Sequence, residues 1–380
     1  MKEKRRKKLA VIGRGTAGCL SIAHFQRWSD FDIEWYFDPN IKPQAVGEGS
    51  TASLPYNLFD YLNFTIVDLE KIHGTLKGGI KKTNWGYKDY IHPFPGNVHG
   101  YHFNAVKLQE MIIDKLSNHP RIKITEKNVS DDSIDSDFVM NCMGAPKEKD
   151  ERFIYSNHIP VNSAYVTQCY WEGVKFEYTL TIARPYGWVF GIPLLNRCSI
   201  GYMFNSSINS LEEVKEDVKN VFKEYGLTPS QDTNHLKFKN YYRNQNCTGR
   251  VVYNGNASFF LEPLEATSLA FVNHINRNAF DHWYDKTSVE TVNTKYNDLI
   301  SQIESVIMLH YAAGSKFDTE FWKFAKARGL ENFLRFINTD TFLKIRQSIL
   351  LNEPEIGTWP PYSWEVNLHN LGLMKYLSAK

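Results

Sequence analysis

The run Lys8-Leu9-Ala10-Val11-Ile12-Gly13-Arg14-Gly15-Thr16-Ala17-Gly18 carries a short apolar strand straight into a GxGxxG turn. The first glycine permits a tight turn, the second lets a phosphate approach the backbone, and the third lets the next helix pack on the strand. That helix starts with unpaired N–H groups, which suit a pyrophosphate. A second strand, Ile33 to Phe37, ends at Asp38, 20 residues beyond Gly18. A carboxylate there accepts two hydrogen bonds from a ribose diol and suits adenosine without a 2′-phosphate. Strand, turn, helix, strand and acid together predict a dinucleotide site.

The alternation continues. After Val46-Gly47-Glu48-Gly49-Ser50-Thr51, helical apolar spacing runs from Leu54 to Leu69, and Asn104 to Ser117 reads as another helix. Strands follow at Ile122 to Thr125 and Phe138 to Cys142, the second running into Met143-Gly144-Ala145-Pro146, as where a backbone passes close to a nucleotide. From Ile159 to about Phe204 the pattern turns β-rich and aromatic. The segments Ala164 to Trp171, Phe176 to Ala183 and Trp188 to Leu194 predict a mostly antiparallel sheet. Leu211 to Tyr225 reads as a charged amphipathic helix. Val289, Val292, Tyr296, Leu299, Ile303, Val306 and Ile307 mark a long helix that stops at Gly314. Between these lies Val251-Val252-Tyr253-Asn254-Gly255-Asn256-Ala257, a strand with a glycine turn at an expected helix start. Two such turns more than two hundred residues apart are the layout of two-domain FAD proteins.

The expected fold class is therefore α/β (α+β): an FAD-binding Rossmann-like domain of glutathione-reductase type, with an antiparallel sheet and a helical C-terminal region. The FAD-binding core is assigned to 8–158 and 248–285, a β-rich insertion to 159–247 and the helical region to 286–380.

Net charge is only +2, from 44 basic and 42 acidic residues, so nothing points to nucleic acid or a membrane surface. The basic run Lys2 to Lys8 is followed by a strand, not by the apolar segment of a signal peptide. No stretch reaches the apolar length of a membrane span. The five cysteines are scattered and the 12 histidines lack HxxxH or HExxH spacing. A metal site is not expected, and a reduced, cytoplasmic setting is. The oligomeric state stays open, a homo-oligomer included.

Four segments together resemble the flavin-dependent tryptophan halogenase family. They are the opening turn, Gly47-Glu48-Gly49-Ser50-Thr51, Gly187-Trp188-Val189-Phe190-Gly191-Ile192-Pro193-Leu194, and Glu262-Pro263-Leu264-Glu265-Ala266-Thr267-Ser268. A fifth, Leu76-Lys77-Gly78-Gly79-Ile80-Lys81-Lys82-Thr83-Asn84-Trp85, is similar to the stretch holding the family's catalytic lysine. His310-Tyr311 and Asp318-Thr319-Glu320-Phe321-Trp322 look like further landmarks. The resemblance implies that FADH2 from a separate flavin reductase, with O2, converts chloride, bromide or iodide to hypohalous acid. That acid travels through a closed tunnel to a lysine beside a small, electron-rich aromatic substrate of indole or phenol type. Isolation is needed because free hypohalous acid oxidises indiscriminately.

On this resemblance Lys77 is the lysine, although a surface position beside Lys81 and Lys82 is the plain alternative. Glu265 is its carboxylate partner, stabilising the cationic ring that electrophilic substitution creates; otherwise it is a helix-capping acid. Backbone amides of Thr267 and Ser268 would hold the halide. Cofactor binding falls to Gly13, Gly15, Thr16, Ala17, Gly18, Asp38, Gly47, Glu48, Gly49, Ser50, Gly144, Asn256 and Leu261, with Glu48 in a loop flexible enough to follow the flavin's redox state. Trp188, Phe190 and Pro193 would wall flavin from substrate.

Three features depart from the family pattern: Phe190 replaces a second tryptophan, Asn256 replaces an aspartate that binds the ribityl chain, and the glycine that follows in the family is absent, with Phe259 nearby. Asparagine keeps the hydrogen bonding without the charge. The chain is short for a tryptophan-directed member, so a more open site admitting several aromatic substrates is expected. A flavin-dependent aromatic monooxygenase, or a non-catalytic flavoprotein remnant, is the alternative reading.

Overall fold

The computed structural model describes residues 5–42, 47–96, 98–351 and 360–378. The start of the basic run, Val46 and residues 354–359 of the Pro/Trp/Tyr-rich tail lie outside them.

Leu9 to Ile12 is buried on both faces, as a central parallel strand must be. It sits in the middle of a five-stranded parallel sheet, ordered Val251–Tyr253, Phe138–Asn141, Lys8–Ile12, Asp32–Phe37, Ile122–Glu126. Strand Val251–Tyr253 thus returns to this sheet from far along the chain. The helix Thr16–Trp28 leaves the glycine turn with Gly15 as its N-cap, no side-chain cap and no acid in its first turn.

A second, seven-stranded sheet is ordered Thr228–Lys237, Ser163–Tyr170, Cys198–Phe204, Gly187–Pro193, Thr179–Arg184, Gly79–Thr83, Tyr90–Pro93. It is antiparallel except where Gly79–Thr83 runs parallel to Thr179–Arg184. Two early strands thus extend the β-rich region. Period-2 alternation gives this sheet two different faces. Leu180, Ile182, Val189, Ile200 and Tyr202 pack on one side against Val214, Val218 and Val221 of the helix Leu211–Tyr225. Ala183, Trp188 and Met203 point the other way, into the main core, with Phe190 packed against it.

The helix Val289–Ala313 carries the predicted stripe and ends at Gly314. Over Ser305–Ala312 it is buried all round, because the helix Glu320–Phe336 packs against it so closely that a Cβ at Gly329 would lie 2.3 Å from the Ala312 nitrogen.

Several expectations shift locally. The helical stretch from Leu54 to Leu69 divides into Ser53–Leu62 and Ile66–Lys71, broken where Asn63 takes a φ of 53°. The strand expected from Phe176 begins only at Thr179. The turn at Asn256 is a single 3-10 turn, Gly255–Ala257, followed by the short strand Phe259–Phe260 rather than by a helix. Glu265, the possible helix-capping acid, lies before the helix, which starts only at Ser268 because Ala266 adopts a φ of 52° and turns the chain first. The edge strand Thr228–Lys237 is exposed at almost every position, and so carries no apolar alternation to reveal it.

Candidate active site

The turn after the strand Lys8–Ile12 is shaped by close backbone approach. Gly13 has a φ of 107°, and a Cβ there would lie 2.3 Å from the Cys142 carbonyl oxygen. A Cβ at Gly18 would lie 2.0 Å from the Gly13 oxygen. Gly15 and Gly144, by contrast, face open space. Thr16 and Ala17 open the helix, and Gly255 brings the later turn, with Asn256, against Ala17. Asp38 is half-buried, with Asn40 and Asn128 donating to its carboxylate. A tight turn, a bare helix N-terminus and an acid at the neighbouring strand end fit the phosphate and ribose parts of FAD.

The loop Gly47–Thr51 leads from this region toward Lys77. The mobility expected of Glu48 meets a specific restraint. Its buried carboxylate accepts from both Arg197 terminal nitrogens, at 2.6 and 3.1 Å, and from the Ser199 hydroxyl at 2.9 Å. Arg197 also bonds Gln168 at 2.6 Å. Replacing Arg197 with Leu should strand that carboxylate and cost about 3 kcal/mol, read as a lower denaturation midpoint. Arg197→Lys should recover only part of this, because an ammonium cannot reproduce the two-pronged contact.

Farther along the loop, the Ser50 amide bonds the Tyr101 carbonyl and Gly49 forms a bridge to His102. A Cβ on Gly49 would end 3.9 Å from Lys77 Nζ. Lys77 closes the strand Thr75–Lys77 and is completely buried. Its Nζ has no hydrogen-bond partner and lies 5.6 Å from the centre of the Phe94 ring. Burial and the nearby Lys82 depress its pKa to about 7, outweighing the attraction of Glu265. The adjacent His102 is held between Thr75 and Thr179 and kept neutral by burial.

Glu265 is buried in the loop before the helix Ser268–Trp283. Burial pushes its carboxyl up, but the adjacent Lys82 above all holds it well below the ordinary carboxylate range. Lys82 forms a buried ion pair with its Oε1, His310 Nε2 lies 3.1 Å from the same oxygen, and His92 Nδ1 lies 3.9 Å from Oε2. Thr267 is the N-cap position of that helix and supplies no side-chain cap, and Ser268 is the helix's first residue.

Trp188 is sealed in the core and its indole N–H reaches Glu262 at 3.5 Å. Phe190 lies 6.3 Å from Trp188, centre to centre, and its ring covers Gly201. The Pro193 carbonyl accepts from Thr75, tying this strand to the one that bears Lys77. Leu261 is buried just before Glu262. Trp85 gathers landmarks from distant parts of the sequence, with His310, Tyr311 and Trp322 at 5.6, 5.7 and 5.3 Å and Trp188 at 6.4 Å.

Sequence reasoning missed Lys82, Glu262, His92 and Arg197. The parity of Lys82 in the strand Gly79–Thr83 is what separates it from Lys81, and only the strand register reveals that. Burial raises the Glu262 carboxyl to about 8, despite hydrogen bonds from Tyr311 and Trp188 and the proximity of Lys82. Among the described residues no cluster of His, Cys, Asp or Glu is placed to hold a metal, and no helix is long and apolar enough to cross a membrane.

The sequence model of a family described as tryptophan halogenase matches residues 8–159 and 104–374. The tryptophan 6-halogenase ThaL of Streptomyces albogriseolus is 22% identical over 434 residues, covering 88% of this chain and 81% of its own. The tryptophan 7-halogenase RebH of Lentzea aerocolonigenes is 24% identical over 311 residues, covering 76% of this chain and 56% of its own. This chain therefore spans little more than half of RebH. Among solved structures, a tryptophan halogenase from Shewanella frigidimarina superposes with a TM-score of 0.79 at 18% identity, over 97% of this chain and 89% of that one. BrvH, a flavin-dependent halogenase from Brevundimonas, gives 0.77 at 17% identity, over 97% and 90%. These structural likenesses show the fold.

Proposed function

Because the chain belongs to the tryptophan halogenase family, whose members are flavin-dependent halogenases, we propose that it halogenates a small electron-rich aromatic through the amine of Lys77. FAD, reduced by a separate flavin reductase, supplies with O2 the oxidising equivalent that turns a halide into hypohalous acid. Gly13, Gly15, Thr16, Ala17, Gly18 and Asp38 hold its adenosine and phosphate end. The loop Gly47–Ser50, Gly144, Asn256 and Leu261 complete that side, and the amides of Thr267 and Ser268 hold the halide. Trp188, Phe190 and Pro193 stand between flavin and substrate.

The Lys77 amine attacks the halogen of hypohalous acid: an N–halogen bond forms, the O–halogen bond breaks, and the displaced hydroxide leaves with the amine proton as water. The ring then takes the halogen as the N–halogen bond breaks, Glu265 stabilises the ring cation, and the proton that cation loses returns to the Lys77 nitrogen and restores the amine. The single observation carrying this reading is a fully buried lysine amine with no hydrogen-bond partner, within the electrostatic reach of a buried carboxylate. Such an amine is available as a nucleophile near neutral pH.

The test is a reaction of the protein with FAD, an independent reductase, O2 and bromide on indoles and phenols, followed by mass spectrometry. Paired bromine isotope peaks are expected. Gain of oxygen without bromine would indicate a monooxygenase, and no product at all a flavoprotein without this activity.

A further inference from the structure

We propose that Lys82 is a positioning residue acting through Glu265: its ion pair holds that carboxylate ionised and so leaves Lys77 an unpaired amine. This rests on the reading that Lys77 is the amine that meets the halogen.

Lys81 and Lys82 are chemically identical neighbours, and strand register separates them. Lys82 sits level with Thr181 and Tyr90, whereas Lys81 sits level with Leu180 and Ile91. Lys81 extends over the Tyr178 ring, 5.8 Å from its centre. Lys82 enters the core and contacts Glu265, with both side chains almost wholly withdrawn from solvent. A buried ammonium is tolerated only when it is paired, and Glu265 is the carboxylate it contacts.

The other groups around the pair are poor substitutes for Lys82. His310 bonds the Val306 carbonyl through Nδ1 at 2.8 Å, so it can donate to Glu265 as well only as an imidazolium. Burial disfavours that form. His92 is driven down to about 4, mainly by burial. Tyr90 donates to Asn367 at 2.8 Å and brings no positive charge. Glu262 is pushed toward its neutral form by burial, and His102 beside Lys77 is likewise kept neutral. Lys82 and Glu265 therefore cancel one another, and Lys77 is left without a counter-charge.

Removing the Lys82 charge leaves Lys77 as the remaining ammonium able to balance Glu265. The Lys77–Glu265 pair must then bind one additional proton near neutral pH, on the amine or on the carboxylate. The reactive combination of free amine and carboxylate is reached only at higher pH.

The experiment compares Lys82→Met and Lys82→Arg with the parent protein. It reads the pH dependence of bromination, and follows the 13C resonances of Lys77 Cε and Glu265 Cδ in selectively labelled protein without flavin. For Lys82→Met, the acid limb of the rate profile should move up by at least about one pH unit, tenfold in rate on that limb. One of the two resonances should show the extra proton. Lys82→Arg should keep the parent profile. A Lys82→Met protein slowed equally at every pH, with both resonances titrating as in the parent, would overturn the proposal. If the parent forms no brominated product, the halogenase reading fails, while the two resonances still decide the role of Lys82. If Lys82→Met does not fold, the double variant Lys82→Met/Glu265→Gln removes both buried charges. A folded double variant supports the proposal, and one that fails in the same way overturns it.

Discussion

Lys77→Met should lose halogenated product by about a thousandfold and become more stable at neutral pH. The second half of this result separates a working residue from a structural one. Lys77 has a folded-state pKa of about 7 against an ordinary 10.5. Between those values the unfolded chain binds a proton that the folded chain does not, so stability rises with pH across that window. Below pH 7 the full penalty applies, up to about 5 kcal/mol, and it is gone above 10.5. Methionine fills the same volume without the penalty. Denaturation midpoints at pH 7 and pH 10.5 should therefore differ between parent and variant at the first pH and converge at the second. Flavin binding should persist. A variant with normal turnover would remove Lys77 from the mechanism, and a less stable one would mean that its ammonium holds the fold.

Glu265→Gln should have the opposite effect on stability. It leaves Lys82 buried against a neutral amide, and breaking a buried pair from one side costs about 3 kcal/mol or more. Product formation should fall about a hundredfold, since the ring cation loses its counter-charge. The carboxyl of Glu265 is depressed in the folded state, so its contribution is present above the ordinary carboxylate pKa and fades as pH falls through the acid range. Parent and variant should thus differ most at neutral pH and approach one another below about pH 4. Equal midpoints at pH 7 would show that the ion pair contributes nothing.

The opening strand–turn–helix–strand unit was legible in the sequence because its requirements are local. A buried strand, a glycine turn and an acid at the next strand end follow one another within a single βαβ unit, with Gly13 and Gly18 excluded from carrying side chains by nearby carbonyls. The long C-terminal helix was legible for a similar reason, since its stripe is periodic along the chain. The groups buried around Lys77 and Glu265 were not. Lys82 is indistinguishable from Lys81 until Gly79–Thr83 takes its place between Thr179–Arg184 and Tyr90–Pro93. His92 and His310 reach Glu265 from different elements. Glu262 has no local signal for its burial, and its contacts with Trp188 and Tyr311 come from distant parts of the chain. Arg197 lies 149 residues from Glu48, and no local pattern joins them.

The most direct measurement separates oxidation of the halide from transfer to the ring. The protein is turned over with FAD, reductase, O2 and bromide in the absence of any aromatic, freed rapidly of small molecules, and only then given an indole. The parent protein should still deliver up to one equivalent of brominated product, and Lys77→Met none. No product from the filtered parent, or equal product from Lys77→Met, would contradict the assignment of Lys77 as the amine that carries the halogen.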